Sequence, residues 1–163
     1  MNRFVTRLVC ALSVAVCLAP SSFARQDDTE KPAKSVQPQS AVASKTATFA
    51  TVAAADASVK KATDATKLSA LKKLIDEDGA IIGTVSAIYA PQGSKLAILN
   101  FAEDHWKAAT VVVRERDFAK FPVLRTLVGK KVLVTGRITE FKNKPQIEMT
   151  ALTQIKIVKE EKE

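Results

Sequence analysis

The stretch VGKKVLVTGRITEFKNKPQIEM, residues 128–149, alternates between apolar and polar side chains, turns once, and alternates again. Alternation with a period of two is typical of β-strands that bury one face. At the turn, Asn143 tolerates the left-handed conformation, and Pro145 begins a strand where no ladder donor is needed. Gly136 fits a sharp bend where a barrel closes. The stretch therefore predicts a hairpin in a small β-barrel.

Further strands are predicted on both sides of this hairpin. Residues 80–89 alternate and end in the turn APQGS, residues 90–94. LAILNF (96–101) and AATVVV (108–113) are predicted to form the second and third strands. The fourth strand is residues 131–141, the fifth is 145–150, and QIKIV (154–158) is a short closing strand. Residues 117–127 indicate a helix or a pair of turns, interrupted by Pro122.

This strand order predicts an all-β fold. Three strands, a short helix and two strands within about 80 residues is the arrangement of the OB-fold, a five-stranded Greek-key barrel. Val132, Leu133, Val134 and Ile138 are its expected core on the fourth strand. The barrel is predicted to span residues 79–158. A short amphipathic helix, residues 67–78, precedes it, and a charged tail, residues 159–163, follows it.

The N-terminal residues are predicted to be a targeting segment. Basic residues precede an apolar run of 12 residues, 8–19, which is too short to span a bilayer as a helix. Ser22 and Ala24 are the small residues of a cleavage site, so residues 1–24 are interpreted as a signal peptide; an uncleaved anchor is the alternative. We expect an exported protein, periplasmic or secreted, with no membrane span after processing. Residues 25–66, rich in Ala, Ser, Thr and Lys, are predicted to form a flexible linker.

Composition excludes several classes of function. The chain's two cysteines, Cys10 and Cys17, lie within residues 1–24, so processing removes every thiol and excludes a disulfide framework or a cysteine-based zinc site. The net charge is +8, and it is +6 after removal of residues 1–24, which hold two Arg and no acid. A basic exported protein can bind nucleic acid, anionic lipid, lipopolysaccharide or cell-wall polymer, and charge alone does not choose among them.

Several segments carry a resemblance to a known group of proteins. GTVSAIY, LAILNF, VVVRERDFAKFP, LVGKKVLVTGRITEFKNKPQIEM and QIKIV resemble bacterial exported OB-fold domains of the nucleic-acid-binding type, some of which are fused to nuclease modules. The resemblance covers residues 79–158 and implies a fold and a ligand class, not catalysis. Ile98 and Ala109 stand where this group often has bulky aromatic residues, which weakens a base-stacking strand face.

The candidate binding residues are aromatic and basic side chains near the expected groove. Leu96, Ile98 and Asn100 on the second strand and Thr110 and Val112 on the third should point outward. The candidate ligand-binding residues are Trp106, Lys107, Lys95, Asn100, Arg137, Lys142, Lys144 and Tyr89, with Phe141 as a further aromatic candidate. Lys95, Lys107, Lys130, Lys131, Arg137, Lys142 and Lys144 are expected to converge at one end of the barrel, although lysines are also the ordinary residues of a solvated surface.

Catalytic and metal chemistry find little support. Glu103, Asp104 and His105 are adjacent on a loop, where three neighbours do not easily converge on one ion, so they indicate a polar loop tip. Residues 114–117 are expected to open the helical segment, with Asp117 as its N-terminal cap. The sequence has no Gly-rich phosphate loop and no nucleophile elbow. We therefore expect no catalytic residues, no metal and no cofactor.

Two hypotheses of different classes remain. The first is a non-catalytic module that binds single-stranded nucleic acid or another polyanion with little sequence specificity. The second is an interaction or envelope-stress module with a protein or carbohydrate partner in the envelope and no nucleic-acid role, since OB-folds bind those ligands too. The aliphatic outward face at Ile98 and Val112 favours the second.

Overall fold

The structure is a computed structural model that describes residues 38–91 and 93–159. The predicted signal peptide, residues 1–24, lies outside the described residues, as do residues 25–37 of the predicted linker and residues 160–163 of the predicted tail.

The described chain is mostly β, with a curled open sheet and few short helices. Its strands are β1 (Ala50–Ala53), β2 (Thr63–Asp64), β3 (Asp78–Thr84), β4 (Ala87–Tyr89), β5 (Leu96–Asn100), β6 (Thr110–Arg114), β7 (Lys131–Phe141), β8 (Lys144–Met149) and β9 (Ile155–Lys159). Its α-helices are α1 (Pro38–Val42), α2 (Ala57–Lys61) and α3 (Leu68–Lys72), and 3₁₀ helices span Glu115–Lys120, Leu124–Leu127 and Leu152–Gln154.

The strands form one sheet in the order β1-β9-β7-β8-β6-β5-β4, and β3 pairs with β7 and with β2. β4, β5 and β6 form an antiparallel meander, and β6 then runs parallel to β8. The prediction of a mostly β domain is confirmed, but the predicted closed barrel of five strands is not, since the sheet is curled and open. The described residues contain nine strands rather than five.

Part of this difference comes from the first predicted strand, which is divided into β3 and β4. Val85 donates its backbone N–H to the Lys130 carbonyl at 3.0 Å, and Ser86 donates to the Asn100 carbonyl at 2.8 Å. The chain therefore changes its pairing partner between these two residues. Because β3 pairs with β7 and β4 pairs with β5, one continuous segment links the two arms of the sheet.

The hydrophobic core lies inside the curl of the sheet. The 3₁₀ helices close it with Phe118, Leu124 and Leu127, each at most 1% exposed. Val132, Leu133, Val134 and Ile138 of β7 are all buried, as predicted. Burying a side chain of this kind contributes about 1.5–3 kcal/mol, so the core anchors these strands.

Gly136 allows a close approach of neighbouring elements to β7. A Cβ atom there would lie 2.8 Å from Gln154 Nε2 and 3.0 Å from Ile147 Cγ2. Its partner across the β3–β7 ladder is Gly79, whose Cβ would lie 2.7 Å from Ile138 Cδ1. Gly79 lies inside β3, directly after the residues for which a helix was predicted.

Residues 38–66 differ from the flexible linker that composition predicts. They contain α1, α2, β1 and β2, and β1 pairs in parallel with β9. Gln39 is 2% exposed and binds the backbone between the first two 3₁₀ helices, while Ala65 is fully buried in the core. These tertiary contacts offset the entropy lost when residues 38–66 become ordered, and the composition of the segment gives no sign of them.

The amphipathic helix predicted for residues 67–78 is shorter in the structure. α3 ends at Lys72, and Asp76 has a positive φ of 68°. Asp76 donates its N–H to the Ile138 carbonyl at 2.7 Å, and Ile138 donates back to the Glu77 carbonyl at 2.9 Å. Pairing with β7 therefore replaces the last predicted turns of the helix.

Asp117 does not cap the segment that follows β6. The residue at that cap position is Arg114, and Asp117 lies inside the 3₁₀ helix with 3% exposure. Lys159, predicted to begin the tail, is the last residue of β9.

Candidate functional site

A groove lies over the outer face of β5 and β6. On β5, Ala97 and Leu99 enter the core while Leu96, Ile98 and Asn100 face outward, as the alternation predicts. The cross-strand register places Ile98 opposite Val112 and Asn100 opposite Thr110. An aliphatic row and a polar row therefore form the floor.

We call this concavity the sheet groove. Its volume is about 600 Å³. It is lined by Tyr89, Leu96, Ile98, Asn100, His105, Trp106, Thr110, Val112, Arg114, Phe141, Lys142, Lys144 and Gln146. The residues come from five strands, one loop and one turn, so only the folded chain assembles them.

One wall of the sheet groove is the β7–β8 turn. Phe141 pairs with Lys144 across the hairpin, and the two residues between them both have positive φ, 51° at Lys142 and 63° at Asn143. Two successive left-handed residues make a type I′ turn, which matches the twist of the flanking strands. The left-handed conformation predicted for Asn143 is confirmed. This turn brings the Phe141, Lys142 and Lys144 side chains to the groove.

A second part of the wall, next to this turn, is the loop that carries Trp106. Asp104 Oδ1 accepts the backbone N–H of Trp106 at 3.0 Å, and the Asp104 carbonyl accepts that of Lys107 at 2.9 Å. The His105 and Trp106 ring centroids are 4.9 Å apart and tilted by 39°. The aspartate therefore orders a tight turn that holds the indole out over the groove.

Lys144 joins these two parts of the wall. Its Nζ donates a hydrogen bond to the His105 carbonyl at 2.6 Å and lies 5.5 Å from the centroid of the Trp106 ring. Burial lowers the pKa of Lys144, and the nearby Asp104 carboxylate opposes that effect. An ammonium in this position fixes the indole while remaining on the groove surface.

Three aromatic side chains stand exposed around this one concavity. Tyr89, Trp106 and Phe141 are each 57% exposed, and all three line the sheet groove. Large exposed apolar groups gathered at one place mark a binding surface more often than scattered ones do.

The charge of the lining has a single sign. Arg114, Lys142 and Lys144 are its cations, and among the described residues that line it there is no carboxylate. The groove therefore attracts anions.

Arg114 is held by a chain of ion pairs that begins outside the groove. Its Nε lies 2.6 Å from Glu148 Oε1, and Arg116 reaches the same oxygen at 3.1 Å. Arg116 continues to Asp117 at 3.3 Å, and Lys120 lies 2.5 Å from the other oxygen of that carboxylate. The hydrogen bond from Arg114 lowers the pKa of Glu148. The guanidinium thus has a fixed orientation at the groove edge.

The structure brings together five of the eight candidate residues. Trp106, Asn100, Lys142, Lys144 and Tyr89 line the sheet groove, as does Phe141. The other three do not line it: Lys95, Lys107 and Arg137. Lys107 instead pairs with Asp104 at 3.6 Å, and Arg137 pairs with Asp76 at 3.6 Å.

The expected convergence of all seven basic residues does not occur. Lys131 begins β7 and Lys142 follows its end, and β7 is 11 residues long. At about 3.3 Å per strand residue, roughly 33 Å of curved strand separates these two ends along the chain. Lys130 and Lys131 are not among the residues that line the sheet groove.

Arg114 and Gln146 also line the groove but were not among the candidates. Arg114 continues the outward alternation of Thr110 and Val112, which is the signal that could have found it. Gln146 pairs with Thr110 across the parallel β6–β8 ladder. No local pattern reveals that pairing, because the two strands are distant in sequence.

Asp104 has structural partners, since it accepts the Trp106 N–H and pairs with Lys107. Within residues 38–91 and 93–159, no group of three His, Cys, Asp or Glu side chains is placed to hold a metal ion. No helix in the same ranges is both long enough and apolar enough to cross a bilayer.

No protein-family model matches the chain, and no curated protein sequence matches it. Among solved structures, the aspartyl tRNA synthetase from Entamoeba histolytica has a TM-score of 0.42 and 13% identity over 56% of this chain and 20% of that chain. A protein assigned as an aspartyl-tRNA synthetase from Leishmania major Friedlin has a TM-score of 0.44 and 16% identity over 75% of this chain and 25% of that chain. OBody AM1L10 bound to hen egg-white lysozyme has a TM-score of 0.35 and 15% identity over 52% of this chain and 81% of that chain.

The chain spans about a fifth and about a quarter of the two synthetase chains. At these TM-scores the likeness is a limited one of backbone shape, and no ligand or activity follows from it.

Proposed function

We propose that this protein is a non-catalytic OB-fold binding module that holds single-stranded nucleic acid in the sheet groove with little sequence specificity. One observation carries the proposal. Three exposed aromatic rings and three cations line a single concavity whose described lining has no carboxylate. Single-stranded nucleic acid presents unpaired base faces and a phosphate backbone, which are the groups that this combination binds.

The strand pairing supports an OB-type assignment. The meander β4-β5-β6, the parallel pairing of β6 with β8, and the link from β3 into β4 fit a Greek-key barrel whose first strand is broken. The sheet groove lies on the strand face and beside the turn that OB-folds use for oligonucleotides.

In this proposal the bases stack on aromatic side chains at the rim of the sheet groove rather than on its strand floor. The floor at Ile98 and Val112 is aliphatic, while Tyr89, Trp106 and Phe141 surround it. Each base stacked on an aromatic ring contributes about 1–3 kcal/mol and does so for every base type. Asn100, Thr110 and Gln146 offer few polar groups to base edges, so sequence preference is weak.

The competing hypothesis is a protein or carbohydrate partner, because the aliphatic floor of the sheet groove also suits an apolar side chain. The cations and the absence of carboxylates from the described lining favour a polyanion instead.

We also propose that the protein is exported, which the apolar run and the small residues within residues 1–24 support. Cell fractionation with an antibody against the domain tests that point, and a purely cytosolic signal would contradict it.

The test is fluorescence anisotropy of the purified protein with labelled oligothymidylate, a duplex of the same length, and polyphosphate as competitor. We expect micromolar or tighter binding of the single strand at low salt, weaker binding of the duplex, and a decrease in affinity with salt. Equal competition by polyphosphate at equal charge would remove the stacking part of the proposal. No binding at low salt would remove all of it, and would leave the protein or carbohydrate reading.

A further inference from the structure

A second concavity lies on the other side of Trp106. Its volume is about 410 Å³, and it is lined by Leu68, Ser69, Lys72, Trp106, Lys142, Asn143 and Lys144. We call it the helix groove, because Leu68, Ser69 and Lys72 belong to α3.

The two grooves share a wall. Trp106, Lys142 and Lys144 line both of them. A ligand that crosses the indole edge therefore passes from one concavity to the other without leaving the surface of these two lysines. The helix groove adds one more cation, Lys72, and no carboxylate is among the described residues that line it.

Packing against the core holds α3, and with it Lys72, in place. Leu71 is fully buried, and Leu68 packs against the core. Before the helix, Asp64 Oδ1 accepts hydrogen bonds from the N–H and the hydroxyl of Thr66, at 2.8 and 2.6 Å. Burial of the apolar face leaves Ser69 and Lys72 exposed toward the helix groove.

We propose that the binding path extends past Trp106 into the helix groove, where Lys72 and Lys142 bind the phosphate of the nucleotide that follows the stacked base. This inference rests on the proposed function and deepens it. It places part of the site on α3, which precedes the strands of the sheet groove. The ligand it implies is a single strand long enough to occupy both grooves, rather than a mononucleotide or a dinucleotide.

Binding of two thymidylate strands tests the extension by fluorescence anisotropy over a salt series: one is about twelve nucleotides long, and the other is a dinucleotide, too short to occupy both grooves. The variant is Lys72→Gln. Its matched control is Lys73→Gln, which removes the same charge from the next residue, outside the helix groove. Lys72→Glu is a second variant with a larger expected effect.

We expect Lys72→Gln to weaken binding of the longer strand about two- to fivefold, the scale of an exposed ion pair. The salt dependence of that binding should fall by about 0.7 in the slope of log K against log salt, the value for one phosphate of a single strand. The short strand and the Lys73→Gln protein should bind as before.

The two proposals fail differently. If the unaltered protein binds neither strand, the proposed function and this extension both fall. If it binds both strands and Lys72→Gln and Lys72→Glu change neither affinity nor salt slope for the longer one, the extension alone is wrong. An equal loss in Lys73→Gln would also overturn it, since the effect would then be general charge.

Discussion

Lys144 places its ammonium 5.5 Å from the centre of the Trp106 ring and binds the carbonyl of His105, the residue before that tryptophan. The contact joins the β7–β8 turn to a loop 39 residues away in sequence. It positions the aromatic group and the cation of the proposed site with respect to each other before any ligand arrives, which lowers the ordering cost of binding.

The first prediction concerns this contact. Lys144→Gln removes the cation over the ring, so the Trp106 loop should become more mobile and the affinity for single-stranded oligonucleotide should fall. Trp106 is the chain's only tryptophan, so acrylamide quenching of its fluorescence reports on this loop alone. We expect faster quenching in Lys144→Gln than in Lys130→Gln, a charge-matched control away from the groove. Identical quenching in both variants would show that the contact does not hold the indole.

The second prediction concerns Lys142, whose φ of 51° is unfavourable for a lysine. The left-handed conformation costs about 1–2 kcal/mol for most residues and less for Asn. Lys142→Asn should therefore raise the free energy of unfolding by about 0.5–1 kcal/mol while weakening oligonucleotide binding. Urea unfolding and anisotropy measure the two effects, with Lys130→Asn as the control. A protein that is more stable and binds equally well would mean that Lys142 takes no part in binding.

The third prediction concerns how the free energy of unfolding changes at low pH. Hydrogen bonding by Lys120 holds the pKa of the buried Asp117 below its usual value of 3.8, and Arg116 acts in the same direction. A carboxylate with a lowered pKa stabilises the fold above its unfolded pKa, and that contribution is lost as the pH falls through the folded pKa. Asp117→Asn should thus cost about 1–3 kcal/mol at pH 7, and the difference from the unaltered protein should shrink at pH values below about 4.

Urea unfolding at several pH values measures this change. Glu103→Gln removes an exposed carboxylate and serves as the control. A difference between Asp117→Asn and the unaltered protein that stays constant down to the lowest pH would contradict the assignment.

The fourth prediction concerns the docking of the N-terminal part of the described chain. Gln39 donates from Nε2 to the Pro122 carbonyl and accepts the Leu124 N–H, both at 2.9 Å. Gln39→Ala leaves two backbone groups without partners and should cost about 1–3 kcal/mol. Val42→Ala, at a position 51% exposed, should change stability by less than about 0.5 kcal/mol. Equal unfolding midpoints for the two variants would show that α1 is not part of the cooperative domain.

Local alternation predicted much of the sheet. The bounds of β7 coincide with the predicted fourth strand, and the outward positions Leu96, Ile98 and Asn100 are those observed. A period of two is set by neighbouring residues along one strand, so it is visible in the sequence. Trp106, which the sequence offered as a candidate binding residue, is 57% exposed.

The remaining features depend on partners that are distant in sequence. Gln39 binds residues 83 and 85 positions away, and β1 pairs with β9 near the other end of the described chain. Composition predicts a linker for residues 38–66, because a segment rich in Ala, Ser and Thr has no local pattern that reveals which strand edge it will pair with. The basic residues show the same limit, since whether two lysines share a groove depends on strand length and register.

The proposed function depends most on Trp106, which should stack on an unpaired base in the sheet groove. The most direct measurement is the fluorescence of Trp106 during titration with oligothymidylate, compared with the anisotropy of the labelled strand and repeated by anisotropy in Trp106→Ala and Trp106→Phe. We expect quenching that saturates together with the anisotropy, a loss of about 1–3 kcal/mol of binding free energy in Trp106→Ala, and a smaller loss in Trp106→Phe. Binding that leaves the fluorescence unchanged and is equally tight in Trp106→Ala would contradict it.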